Sequence, residues 1–111
     1  LGTIVQSNLG VKIAIINNGF LGMVRQWQQF FYDRRYSSSP ISGPDFVKLG
    51  DAYGIPSLRV NRRDDSAAAV RKAMETDGPF LIDFVVEEEE NVYPMIPPGG
   101  ALSDIILDVG G

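Results

Sequence analysis

Apolar and polar residues follow one another along this chain in short segments of two kinds, some with the period of a strand and some with the period of a helix. Apolar side chains at 1, 4, 5 and 9 fit the closing turns of a helix, with Gly10 as its stop. Residues 11–16, Val-Lys-Ile-Ala-Ile-Ile, are β-branched and nearly all apolar, which predicts a strand covered on both faces in a parallel sheet. Asn17-Asn18-Gly19 ends that strand. From 20 to 32 the apolar residues fall at 20, 21, 23, 24, 27, 30 and 31, a helical stripe with Arg25, Gln26, Gln28 and Gln29 on the opposite face. The turn therefore joins a strand to a helix.

Three consecutive serines, two prolines and a glycine mark residues 37–44 as a surface loop. Pro44 suits the first turn of a second helix, 45–53, which Gly54 and Pro56 stop. Residues 57–60 form a short strand, and Asp64 or Asp65 caps a helix at 66–76, with Ala67 to Ala69, Val70, Ala73 and Met74 as its buried side. Gly78-Pro79 closes that helix. Residues 80–86 are the strongest strand, and the one charge inside it, Asp83, needs a partner or an exposed position. A Pro- and Gly-rich tail, 91–111, follows, with a short closing helix at 102–107. Strands alternating with helices predict an α/β fold, a parallel sheet with flanking helices, in one domain over 1–111.

Composition narrows what this domain does. A net charge of −4 with scattered Lys and Arg argues against a nucleic-acid surface, and no apolar run is long enough to span a membrane. There is no Cys and no His, which excludes disulfides and thiolate metal sites and leaves Asp, Glu, Lys and Tyr for acid–base work. Runs such as Glu87 to Glu90 and the pairs Arg34-Arg35 and Arg62-Arg63 are expected to be solvated surface. The chain opens on Leu1-Gly2-Thr3 without Met, as an internal fragment does.

Candidate chemistry lies at the Asn-Asn-Gly turn. In an open parallel sheet ligands bind at the carboxyl ends of strands, and this turn sits at such an end, before a helix N-terminus. The free amides and dipole there attract phosphate, and an Asn oxygen with a turn carbonyl suits Mg²⁺. Taken alone, the triplet is more simply an ordinary turn, with Asn and Gly serving left-handed backbone angles.

The longer string Asn17-Asn18-Gly19-Phe20-Leu21-Gly22-Met23-Val24-Arg25-Gln26-Trp27-Gln28, followed by Phe31-Tyr32 and Arg34-Arg35-Tyr36, resembles the large catalytic subunit of the acetolactate synthase (acetohydroxyacid synthase) family. Pro44-Asp45-Phe46-Val47-Lys48-Leu49, Ala52-Tyr53-Gly54, Leu58-Arg59-Val60, Gly78-Pro79 and Pro94-Met95-Ile96-Pro97-Pro98-Gly99-Gly100 extend the resemblance over nearly the whole chain.

The resemblance implies the C-terminal part of a thiamine-diphosphate-binding, Rossmann-like domain, truncated at its N-terminus. It implies thiamine diphosphate and Mg²⁺ as cofactors, with FAD bound elsewhere in the parent enzyme. Asn18 would bind Mg²⁺ through its side chain and Phe20 through its carbonyl, while the amides of Gly19, Phe20, Leu21, Gly22 and Met23 lie along the diphosphate. Met23, Val24 and Trp27 would line the substrate and inhibitor pocket, with Pro98 in a loop closing over it. For Met23 and Trp27, plain helix packing fits the same spacing. No catalytic residue falls in this chain: the family's Gly-Asp-Gly segment and its catalytic Glu are absent, so the isolated chain is expected not to hold cofactor usefully.

The activity implied is condensation of two pyruvates, or of pyruvate with 2-oxobutanoate, with loss of CO₂, in branched-chain amino-acid synthesis. Its partners would be small 2-oxo acids, further copies of the enzyme and a regulatory subunit, in a bacterial cytoplasm or a plastid. Two alternatives stay open: another thiamine-diphosphate enzyme such as a glyoxylate carboligase or pyruvate oxidase, and a non-catalytic α/β assembly module.

Overall fold

In the computed structural model, which describes residues 1–108, the chain runs α1 (Gly2–Gln6), β1 (Lys12–Asn17), α2 (Gly22–Phe31), α3 (Phe46–Ala52), β2 (Ser57–Val60), α4 (Ser66–Glu75) and β3 (Phe80–Val85). Single 3₁₀ turns occupy Arg63–Asp65 and Leu102–Asp104. The strands form one parallel sheet in the order β1-β3-β2, so the most apolar strand takes the middle and is buried over most of its length.

Alternation along β3 gives the sheet two different faces. Phe80, Ile82 and Phe84 join Leu58 and Val60 under Ala69 and Ala73 of α4, and this cluster is the apolar core. The opposite face carries Leu81 and Asp83 and is approached by α3. Gly50 makes that approach possible, because a Cβ there would collide with Ser57 Oγ on β2. Lys12 at the start of β1 donates to the carbonyls of Thr76 and Gly78, tying the α4–β3 turn to the sheet.

Several expectations change. β1 is an edge strand and not covered on both faces: α4 packs over β2 and β3, and Ile16 is exposed. The first helix ends at Gln6, with Asn8 in a left-handed conformation at φ 46°, before Gly10 is reached. Pro44 lies outside α3, whose cap is Asp45, accepting from the amides of Val47 (3.1 Å) and Lys48 (3.3 Å). Asp64 and Asp65 sit in a 3₁₀ turn, and neither side chain caps α4. On α4 only Ala69 and Ala73 are buried, while Val70 and Met74 face outward. The predicted closing helix at 102–107 shrinks to its 3₁₀ turn because Ile106 is drawn into an antiparallel bridge with Met95. The last three residues of the tail 91–111 lie outside the described residues.

The largest departure is α2. Its buried residues are Arg25 and Gln26, while Met23, Val24 and Trp27 of its apolar stripe are exposed and Phe30 and Phe31 half-buried. It packs on the tail segment 90–95 instead of lying flat on the sheet. The described chain is accordingly elongated, 51 × 27 × 23 Å, with a radius of gyration of 18.1 Å. A closed domain of this length has about 13 Å.

Candidate functional site

Two Asx turns overlap where β1 ends. Gly19 N–H donates to Asn17 Oδ1 (3.3 Å), and Phe20 N–H donates to Asn18 Oδ1 (3.1 Å). Gly19 takes φ 68°, a left-handed angle that glycine adopts without cost, and the chain reverses towards α2. The turn is held from the serine loop: Leu21 N–H donates to Ser39 O and Ile41 N–H to Gly19 O, both at 2.8 Å.

These bonds decide which groups are left for a ligand. The amides of Gly19 and Phe20 are engaged inside the turn and that of Leu21 by the serine loop, so of the row of amides expected at 19–23 only Gly22 and Met23 are left unengaged among the described residues. Val24 belongs with them, because α2 starts at Gly22 and has no side-chain cap. The oxygens that remain include the Phe20 carbonyl, with no hydrogen-bond donor among the described residues, and the second lone pair of Asn18 Oδ1. Gly22 keeps this corner open, since a Cβ there would come within 3.3 Å of Asn18 Nδ2. Asn18, Phe20 and Gly22 share a cleft of about 590 Å³ with Ile16, Val86, Glu87 and Glu90. Neutral oxygens beside free helix amides fit one side of a cation–diphosphate complex, with the helix dipole favouring the anion. Among the described residues there is no group of three or more His, Cys, Asp or Glu able to hold a metal.

Behind the turn runs a chain of polar side chains that sequence reasoning left unassembled. Asp83, fully buried, accepts from Arg59 Nε (2.9 Å) and from Asn17 Nδ2 (3.1 Å). Arg59 also donates through Nη2 to Asp45 at 2.8 Å. The Lys48 amide first, then Arg59, hold the Asp45 carboxyl below its ordinary pKa despite partial desolvation, and bonding to Asp83 and Asp45 raises that of Arg59. Register made this network foreseeable: Arg59 and Asp83 are direct cross-strand partners, and Asn17 lies two residues beyond Asp83's partner on the other side.

On α2, Met23 (56% exposed), Val24 and Trp27 (41% exposed) form an open groove with Gln28 and Tyr32. Pro98, expected over this groove, is exposed and absent from its walls. The tail instead crosses the other side of the helix. Gln26 bonds both backbone groups of Val92, at 2.9 Å each, as a strand would. Arg25 donates to Asn91 Oδ1 (2.6 Å) and Gln29 Oε1 (2.7 Å), while its Nε, also buried, has no acceptor among the described residues. Phe30 stacks on Tyr93 at 5.8 Å, and Trp27 meets Phe31 edge-on at 5.6 Å. Glu87 to Glu90 are exposed as expected, yet Glu87 and Glu90 line the Asn18 cleft and Glu89 accepts from Tyr36. Arg35 and Arg62 are exposed, with loose contacts of 4.0 and 3.8 Å to Asp33 and Asp64.

Residues 1–84 match the family described as thiamine pyrophosphate enzyme, C-terminal TPP binding domain. The chain is 49% identical over 108 residues to the acetolactate synthase large subunit of Cyanidium caldarium, covering 96% of this chain and 18% of that protein. It is 47% identical to the mitochondrial acetolactate synthase of Schizosaccharomyces pombe over 107 residues, covering 96% of this chain and 16% of the relative. Against acetolactate synthase isozyme 2 large subunit of Escherichia coli K12 the identity is 41% over 107 residues, covering 96% and 20%. The chain thus spans a fifth or less of the length of these curated relatives. Among solved structures it superposes on the thiamine diphosphate-dependent 4-hydroxybenzoylformate decarboxylase of Rhodococcus jostii RHA1 with a TM-score of 0.70 and 28% identity, over 80% of this chain and 17% of that one.

Proposed function

This chain belongs to the thiamine pyrophosphate enzymes, in their C-terminal TPP binding domain, and from that premise we propose that it is the diphosphate-anchoring segment of an acetolactate synthase large subunit. The observation that carries the reading is the corner at the end of β1, where the Asn18 and Phe20 oxygens lie beside the unengaged first amides of α2. In it, Asn18 and Phe20 hold Mg²⁺, and Gly22, Met23 and Val24 donate to the diphosphate. Oxygen donors still lacking come from the diphosphate itself and from a carboxylate outside this chain. FAD is likewise assigned no residue here.

Bound thiamine diphosphate supplies the electron sink for decarboxylation and carbon–carbon bond formation. The chain's own residues hold and orient the cofactor, and none is assigned as acid, base or nucleophile. Met23, Val24 and Trp27 give the reacting centre an apolar wall that excludes water and takes the alkyl group of the acceptor 2-oxo acid. Their exposure in the free chain supports a second surface closing over them, contributed by another copy or by the rest of the enzyme. Among the described residues no helix is long and apolar enough to cross a membrane. The relatives include mitochondrial and chloroplastic forms, so the proposal is independent of compartment.

The test is product analysis with the purified enzyme that carries this chain, given pyruvate, Mg²⁺ and thiamine diphosphate. One 2-acetolactate and one CO₂ per two pyruvates is the expected result. Acetate or acetyl phosphate from pyruvate, or condensation of glyoxylate alone, would overturn it.

A further inference from the structure

The Asn17 amide stands between two groups of opposite hydrogen-bonding sense. Gly19 N–H can only donate, and it meets Oδ1; the Asp83 carboxylate, ion-paired with Arg59, accepts from Nδ2. Turning the amide over would set donor against donor and oxygen against oxygen, so its partners fix its orientation. Asp83 is itself fixed, because Arg59 is gripped at its other end by Asp45, the cap of α3. A continuous line of side chains therefore runs from α3 through β2 and β3 to the last residue of β1.

Stability alone does not account for a charge inside the central strand. Buried ion pairs contribute little over well-packed apolar residues of the same volume, though breaking one is costly. What a fixed pair does supply is direction. We propose that Asp83, oriented by Arg59, is a positioning residue for the cofactor anchor: it sets the sense of the Asn17 amide and, through Gly19 N–H, the turn that aims the Asn18 and Phe20 oxygens. The proposal rests on the anchor reading of Asn18 and Phe20 given above.

Replacement by Asn tests it through the same logic. In Asp83→Asn the single remaining oxygen goes to Arg59 Nε, leaving an NH₂ towards Asn17, whose amide must invert and lose Gly19. The reciprocal exchange Asp83→Asn with Asn17→Asp repairs this. Asn at 83 then donates to the new carboxylate, whose second oxygen accepts from Gly19 N–H. In the complete enzyme, the concentration of Mg²⁺–thiamine diphosphate giving half-maximal activation is expected to rise about tenfold in Asp83→Asn, the equivalent of one lost hydrogen bond, and to return within about threefold of the parent in the double exchange. Asn17→Asp alone, which sets two carboxylates against each other, is expected to be impaired as well.

Melting of the cofactor-free enzyme gives the second readout, and it should not follow the rise and recovery of the activation constant. The idea is overturned by an unchanged constant in Asp83→Asn, by a double exchange no better than the single variant, by losses that track melting, or by failure of both to fold. Asn18→Ala separates the two readings. Unchanged cofactor affinity there overturns the anchor itself, whereas a loss at Asn18 with none at Asp83 overturns only the coupling.

Discussion

α2 and α4 are both ten residues long and amphipathic, and they bury opposite kinds of side chain. α4 turns Ala69 and Ala73 onto Val60, Phe80 and Ile82, the ordinary arrangement in which apolar area leaves water. α2 turns Arg25 and Gln26 inward against the tail and leaves Met23, Val24 and Trp27 outside. One helix is held by the hydrophobic effect and the other by directed hydrogen bonds to the backbone and side chains of the tail, with Phe30 against Tyr93 beside them. The difference teaches where to look for function: a helix kept in place by its polar side has its apolar side free for something else.

The contrast is most exposed to test in the core. Phe80→Ala should cost about 3–5 kcal/mol in chemical denaturation of the purified protein, since it removes the centre of the cluster under α4. Gln26→Ala comes next. It leaves both backbone groups of Val92 without their partner, at about 1–3 kcal/mol, and hydrogen exchange should quicken at Val92 while β3 amides stay protected. If β3 loosens equally, the two regions are one cooperative unit and the contrast fails. Trp27→Ala should move stability by less than about 1 kcal/mol, its main loss being the edge contact with Phe31. If the proposed function holds, the same change in the complete enzyme should alter the preference between 2-oxobutanoate and pyruvate as acceptor by up to about tenfold, read from product ratios.

Acid gives the mildest test. Asp45 has its pKa lowered in the fold, so its cap is fully present above the ordinary value of 3.8 and is lost as pH falls through the lower folded value. Exchange at Val47 and Lys48 should quicken in that window, and Asp45→Asn should remove the step. α2, with no side-chain cap, should show none of its own.

The strands and helices were legible because each is a local pattern: a β-branched run at β1, an apolar run broken only by Asp83 at β3, Gly78-Pro79 between α4 and β3. The Asn17-Asn18-Gly19 turn was legible in the same way. The inverted burial of α2 was not, since Arg25 and Gln26 find their partners 65 to 69 residues away in a segment with no periodicity of its own. Asp83 announced a need for a partner without naming it, and only strand register selects Arg59 over the other cations. The open face of β1 escaped for another reason. An apolar run predicts cover, but nothing in residues 11–16 says whether a neighbouring helix is long enough to reach it.

The paired Asx turns also bear on how the molecule ages. An Asn followed by Gly is prone to spontaneous deamidation, in which the next backbone nitrogen attacks the side-chain carbonyl carbon and ammonia leaves. Asn18-Gly19 is such a pair, placed where a new negative charge would repel a diphosphate. In the fold the attacking nitrogen has its hydrogen on Asn17, and the target amide is held by Phe20 N–H. We expect slow deamidation at Asn18 in the folded protein and fast deamidation in a peptide of the same sequence, measured by peptide mapping after warm incubation. Equal rates would show that these bonds give the pair no such protection.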